Sequence, residues 1–216
     1  MCIRDRLIGF SGAPFTLATY MVEGGSSKDF LNLKTMMYKD PKTAHALFAK
    51  LSDAVTVYLN AQIAAGAQAV QIFDTWAGIC SPIDFDTFVF PYVKSVVDRL
   101  DRSGIPVIYY CNGGSTLLSR MRKLNTDVIG VDWRIEIDVA WKEIGYDRAI
   151  QGNLDPCVLF MDRKGIEARV QDILERVGGR AGYIFNLGHG VLPTTPVENV
   201  QALVEIVHEL SKEHRA

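Results

Sequence analysis

No stretch of the 216-residue chain approaches the roughly 20 consecutive apolar residues that a bilayer-spanning helix needs, so no transmembrane helix is expected. Cysteine is sparse: Cys2, Cys80, Cys111 and Cys157 are scattered without a CxxC pair. Such spacing argues against a disulfide framework or a zinc finger, and for free thiols in a reducing compartment. An excess of charge of one sign is missing too. Lys and Arg total 23 against 25 Asp and Glu, a net charge of −2, which gives no electrostatic footprint for nucleic acid or an anionic membrane. No GxGxxG opens a helix after the first strand-like run, which argues against a dinucleotide site. There is no low-complexity segment and no domain linker. Met1–Arg6 lacks the apolar stretch of a signal peptide and runs at once into an apolar segment, so the expected location is cytoplasmic.

What is present is a rhythm. Hydrophobic residues make up 48% of the chain, enough for one sizeable core. Six short runs rich in β-branched or aromatic residues read as strands: Leu7–Phe10, Ala69–Phe73, Val107–Tyr110, Val128–Val131, Ala149–Gly152 and Tyr183–Phe185. Each passes into a small or polar residue, namely Ser11, Asp74, Asn112, Asp132, Asn153 and Asn186. Helical patterns lie between them. Asp40-Pro41 reads as N-cap and first helical residue, with Gly66 as the stop and Leu47, Leu51, Val55, Leu59 and Ile63 as one face. Ile166, Val170, Ile173, Leu174 and Val177 form a second stripe before Gly178-Gly179. Thr195-Pro196-Val197-Glu198 predicts a capping box for the last helix, with Val200, Leu203, Val204, Val207 and Leu210 as its inner face. Ser115 and Asp138 are predicted caps of two shorter helices.

Six strand–helix alternations imply a parallel α/β sheet. Polar residues after every strand favour a (β/α)8 barrel, where strand tips converge on one site, over an open doubly wound sheet, where they gather at a switch point. A complete barrel needs eight strands and about 250 residues, so the prediction is an incomplete barrel of about six βα units.

Read singly, the chemical candidates are ambiguous. Tyr20 alone reads as a half-buried packing residue, and Thr75 as a turn or cap residue. Phe73 fits a pocket wall or the barrel core equally well, and Asp74 fits either an orienting or a turn role. His189, between two glycines after the last strand, is the strongest acid–base candidate, because imidazole titrates near neutrality. His45 and His208 fall in helical patterns and His214 in a tail, and all three read as solvated. Asp132, Asn112 and Asn153 suit a pocket floor. Arg134 reads as a carboxylate partner or a surface ion pair, and Trp133 as packing.

Five segments together carry a resemblance. Gly9-Phe10-Ser11-Gly12-Ala13-Pro14-Phe15-Thr16-Leu17-Ala18-Thr19-Tyr20-Met21-Val22-Glu23-Gly24, Phe73-Asp74-Thr75-Trp76-Ala77-Gly78, Gly130-Val131-Asp132-Trp133, Gln151-Gly152-Asn153-Leu154-Asp155-Pro156 and Asn186-Leu187-Gly188-His189-Gly190 are similar, in order and spacing, to motifs of the uroporphyrinogen decarboxylase family. The likeness runs from about Leu7 to the C-terminus. It implies strands three to eight of the family's barrel in residues 7–216, with residues 1–6 as an unrelated remnant. It also implies decarboxylation of the four acetate arms of uroporphyrinogen to coproporphyrinogen in porphyrin and heme biosynthesis, without metal or organic cofactor.

By the same resemblance, Tyr20, Thr75, Phe73 and His189 contact the tetrapyrrole substrate and His189 lines the catalytic site, in a protein that is a homodimer when full length. The family's arginine-bearing RQAGRY-like motif and its aspartate-bearing FSDI-like motif do not occur here, so the chain as written is expected to lack activity. Two rivals remain: a zinc-dependent corrinoid or thiol methyltransferase of a related barrel, and a non-catalytic tetrapyrrole-binding chain. The first needs His and Cys ligands at strand ends, and after the last strand Gly188-His189 brings no cysteine.

Overall fold

A computed structural model describes residues 6–25, 27–102 and 104–213. Most of the predicted N-terminal remnant, Cys2 and His214 lie outside these residues. The chain divides into two compact units, Met1–Ile129 and Gly130–Ala216.

The first unit begins with strand β1 (Ile8–Gly12) and helices α1 (Pro14–Glu23), α2 (Leu31–Lys39) and α3 (Pro41–Ala64). Strand β2 (Ala69–Asp74) leads through a 3₁₀ turn at Ala77–Ile79 to α4 (Pro82–Asp84), a π-helical turn and α5 (Phe90–Asp98). Then come β3 (Val107–Cys111), α6 (Leu118–Met121) and β4 (Val128–Gly130), whose last residue opens the second unit. The strands β1, β2, β3 and β4 lie side by side in chain order. The pairs β1–β2 and β2–β3 are parallel, with Gly12 opposite Phe73 and Phe73 opposite Tyr110. No reversal of order occurs among them, so this unit has no switch point of the doubly wound kind.

Alternation along each strand gives the sheet two faces. Val70, Ile72, Val107 and Tyr109 are fully buried on the side that packs against the helices. On the other side Phe10, Phe73 and Tyr110 form an edge-to-face ladder, with ring centres 5.9 and 6.0 Å apart. Helix α3 starts as predicted: the Asp40 carboxylate accepts the Thr43 amide and Pro41 takes the first helical position. Its buried face is Ala44, Phe48, Ser52, Val55, Thr56 and Leu59, turned from the predicted stripe so that Leu47, Leu51 and Ile63 are only half-buried. His45 is not solvated. Its ring stacks on Phe88 at 4.9 Å and Nδ1 lies 2.7 Å from the Tyr92 hydroxyl, because α5 packs against this side of α3.

The second unit holds α7 (Ile137–Ile144), β5 (Ala149–Leu154), a 3₁₀ turn at Pro156–Phe160, α8 (Arg163–Val177), β6 (Tyr183–Leu187) and α9 (Val197–Glu213). Strands β5 and β6 are parallel, with Ile150 opposite Tyr183 and Leu154 opposite Leu187. Helix α8 buries the predicted Ile166, Val170, Ile173, Leu174 and Val177, and Gly178 closes it in the left-handed conformation that glycine adopts without strain.

Three predicted caps differ from the structure. The first bonds of α9 run to the Pro196 carbonyl, so proline precedes the helix, and the buried Thr195 hydroxyl has no hydrogen-bond partner among the described residues. Ser115 lies inside the 3₁₀ turn Gly114–Leu117, behind Gly113. Asp138 sits in the first turn of α7, behind Glu136. In each case the chain enters its helix one or two residues away from the side chain that chemistry favoured.

The loops after β2 and β3 touch backbone to backbone. A β-carbon on Gly78 would stand 2.1 Å from the Asn112 carbonyl oxygen and 2.7 Å from the Gly113 carbonyl carbon, whereas one on Gly25 would meet nothing within 4 Å. Gly78→Ala is therefore expected to destabilise the chain by about 1–3 kcal/mol, and Gly25→Ala to leave it near wild type. Urea-unfolding midpoints of the two variants check this.

Candidate functional site

Helix α1 and strand β3 each direct a hydroxyl at one buried carboxylate at the C-terminal end of β2. Asp74, the last residue of β2, has no solvent exposure. Its Oδ1 accepts the Thr16 hydroxyl at 2.8 Å and its Oδ2 accepts the Tyr109 hydroxyl at 2.8 Å. Thr16 stands in the first turn of α1, and its oxygen also accepts the Trp76 amide at 3.2 Å. The Ala13 amide donates to the Phe73 carbonyl at 2.8 Å, tying the start of the same helix to β2. Burial is the main influence on Asp74 and lifts its carboxyl from the ordinary 3.8 to about 6, against the lowering effect of the two donated hydrogen bonds. Burial likewise raises Tyr109 well above the ordinary phenol value.

Two predicted residues flank this network. Tyr20 lies one helical turn beyond Thr16, on the same side of α1, and is 49% exposed. Its ring meets Trp76 edge-on at 6.3 Å. Thr75 is half-buried between Asp74 and Trp76. Neither the Tyr20 nor the Thr75 hydroxyl hydrogen-bonds to another described residue, and Thr75 caps no helix. Phe73 is half-buried in the aromatic ladder with Phe10 and Tyr110. The first unit therefore brings Tyr20 against the Trp76 ring and sets Thr75 next to Trp76 in the turn after β2, with Phe73 in the strand just before. Both Asp74 oxygens are engaged, by the Thr16 and Tyr109 hydroxyls.

In the second unit His189 follows β6 and is exposed. Its Nδ1 accepts the Gly190 amide at 2.7 Å, which puts the proton of the neutral ring on Nε2. Gly188 is needed for packing: a β-carbon there would stand 2.8 Å from the Trp133 amide and 3.2 Å from the α-carbon of Asp132. The Gly188 amide donates to the Leu154 carbonyl at 2.7 Å. Asn153 is buried and donates to the carbonyls of Asp132 and Ile135 at 2.9 and 2.6 Å, the structural role of a pocket floor. Arg134 pairs with the buried Asp132 carboxylate at 2.6 Å and lies over the Trp133 ring at 4.6 Å, which favours the ion-pair reading. A cavity of about 520 Å³ opens beside Trp133, Arg134, Asn153 and Arg169. Tyr20, Thr75 and His189 are not among its lining residues.

Cys80, Cys111 and Cys157 are free thiols, and burial pushes Cys80 up to about 12. Among the described residues no three His, Cys, Asp or Glu side chains gather as ligands of one metal ion, and no helix is long and apolar enough to cross a membrane. Sequence reasoning missed Thr16 and Tyr109. Thr16 reads as an ordinary helix residue and Tyr109 as a core strand residue, and only the sheet register brings both to Asp74.

Residues 4–210 match the family model described as Uroporphyrinogen decarboxylase (URO-D). A protein named uroporphyrinogen decarboxylase from Carboxydothermus hydrogenoformans is 51% identical over 205 residues, covering 95% of this chain and 59% of that protein. One of the same name from Geobacter sulfurreducens is 50% identical over 209 residues, covering 97% and 62%. The chain thus spans about 60% of the length of these relatives. A solved methyltransferase from Methanosarcina mazei superposes with TM-score 0.82 at 22% identity, covering 95% of this chain and 59% of its own. A B12-independent methionine synthase from Shewanella sp. W3-18-1 gives 0.63 at 9% identity, covering 79% and 55%. At those identities the likeness is one of fold alone.

The titration of Asp74 has a measurable consequence. Its value is higher folded than unfolded, so the stabilisation it contributes is full below about pH 4 and is lost as pH rises through about 6. Asp74→Asn removes that dependence. The stability of the variant relative to wild type is expected to climb by up to about 3 kcal/mol between pH 4 and 7. Urea unfolding across that range checks it, and a flat difference contradicts it.

Proposed function

This chain belongs to the uroporphyrinogen decarboxylase family, and from that premise we propose that the protein it represents removes carbon dioxide from the four acetate arms of uroporphyrinogen, giving coproporphyrinogen. The observation that carries the reading is a pair of hydroxyls, on Tyr20 against the Trp76 ring and on Thr75 next to Trp76 in the chain, bonded to no other described residue. Donors in that condition suit the carboxylates of an anionic macrocycle.

The chemistry makes three demands on such a site. As the bond to carbon dioxide breaks, its electron pair is left on the methylene carbon. Protonation of the pyrrole ring lets the ring accept that pair, a proton delivered to the methylene completes the methyl group, and loss of the ring proton restores the pyrrole, for a net uptake of one proton. Carboxylates that do not react must meanwhile be held still, which is the role of Tyr20 and Thr75, with Phe73 against the apolar face of the macrocycle. His189, with its ring proton on Nε2, is the proposed proton carrier. The same reading takes a cytoplasmic protein that is a homodimer at full length.

Binding is the property to measure on this chain. Uroporphyrin I, the oxidised fluorescent form of the macrocycle, is expected to bind, and Tyr20→Phe and Thr75→Ala are each expected to weaken it by about tenfold through loss of a hydrogen bond to a charged group. Fluorescence titration gives the dissociation constants. Unchanged affinity in both variants contradicts the proposed roles.

A further inference from the structure

Asp74 belongs to no substrate contact, since it is fully buried and both of its oxygens are engaged by protein hydroxyls. The residues that surround it are nevertheless the ones next to the proposed contacts. Thr16 is four residues before Tyr20 on α1, and Thr75 and Trp76 are the next two residues after Asp74 itself. Helix α1 therefore grips Trp76 twice, at the amide through the Thr16 oxygen and at the ring through the edge of Tyr20. Thr16 can accept that amide only while its own proton is directed elsewhere, and Asp74 Oδ1 is where that proton goes. On the other side the Tyr109 hydroxyl holds Oδ2, so the carboxylate cannot rotate away from Thr16 without losing a second buried bond.

We propose that Asp74 is a positioning residue, which locks helix α1 and the turn after β2 together so that the Tyr20 and Thr75 hydroxyls face the substrate in a fixed relation. The assignment of Tyr20 and Thr75 as substrate contacts rests on the reading of the preceding subsection. The lock between Thr16, Asp74 and Trp76 does not. A carboxylate is required because both neighbours are donors. An asparagine would present an amide group to one of them and turn its hydroxyl proton away. Tyr109 holds the lock from β3, so the relation set between α1 and β2 is also set against the third strand.

Two measurements on the chain test the lock and its purpose separately. Amide hydrogen exchange at Trp76 reads the lock without any ligand. Thr16→Val and Asp74→Asn are expected to speed it by about tenfold or more, while Thr16→Ser, which keeps the hydroxyl, restores near wild-type protection. Wild-type exchange at Trp76 in both Thr16→Val and Asp74→Asn overturns the proposal, and the Thr16 pair decides it even when Asp74→Asn fails to fold.

Uroporphyrin titration reads the purpose. Asp74→Asn is expected to weaken binding by about tenfold in the wild-type background, yet by less than about twofold where Tyr20→Phe and Thr75→Ala have already removed the hydroxyls it positions. An equal loss in both backgrounds marks a merely structural residue and also overturns the proposal. If the wild-type chain binds no macrocycle while Trp76 exchange responds as described, the substrate reading has failed and the lock stands on its own evidence.

Discussion

A carboxylate without solvent, Asp74, receives one hydroxyl from the helix that follows β1 and another from β3. Burying such a group costs several kcal/mol unless its lone pairs are engaged, and each hydrogen bond to a charged acceptor returns about 1.5–3 kcal/mol. The balance holds only while Thr16 and Tyr109 stay in place, so the position of α1 and the register of β2 on β3 are coupled to the charge. Everything proposed about the first unit follows from this. The Trp76 amide has its acceptor because the Thr16 proton is occupied, and Tyr20 has its place because Trp76 does.

The second unit solves a similar problem with backbone groups. Asn153, at the end of β5, spends its amide on two carbonyls of the loop after β4, and Gly188 lets the chain before His189 lie against Asp132 and Trp133. Several arginines of this unit are engaged by carboxylates. Arg134 is held by Asp132, and Arg176 by Glu136, Asp138 and Asp172. The proposed chemistry uses neutral donors: two hydroxyls, on α1 and after β2, and an imidazole after β6.

Much of this was legible in the residues. All six apolar runs form strands, because β-branched and aromatic content over three to five residues leaves few alternatives. Most extend one or two residues further than their apolar cores: β5 continues through Asn153 and Leu154, and β6 through Asn186 and Leu187. Polar strand ends that pair by backbone alone leave no mark in hydropathy. Asp40 and Gly178 were readable as helix ends because side-chain capping and a positive φ are local demands. Thr195, Ser115 and His45 were not, because packing between helices decided where the chain turned and what covered it.

The site divides the same way. Tyr20, Thr75 and His189 are candidates through motifs in register, and Asp74 stands out beside Thr75. Its partners Thr16 and Tyr109 lie 58 and 35 residues away in sequence. Nothing in either local pattern signals a hydrogen bond, since the pairing depends on which face of β2 and β3 points toward α1. That is a property of sheet register, and it appears only once the strands are laid side by side.

The central proposal is that Tyr20 and Thr75, held in the first unit by the Asp74 lock, meet a polycarboxylate macrocycle. Amide chemical-shift mapping of the labelled chain during titration with uroporphyrin I tests it most directly. The account predicts that the shifts in the first unit concentrate at Tyr20, Thr75 and Trp76, while Ala69 and Val107 at the opposite ends of β2 and β3 stay unmoved. Shifts confined to those opposite ends, or spread over the outer helix faces, would contradict it.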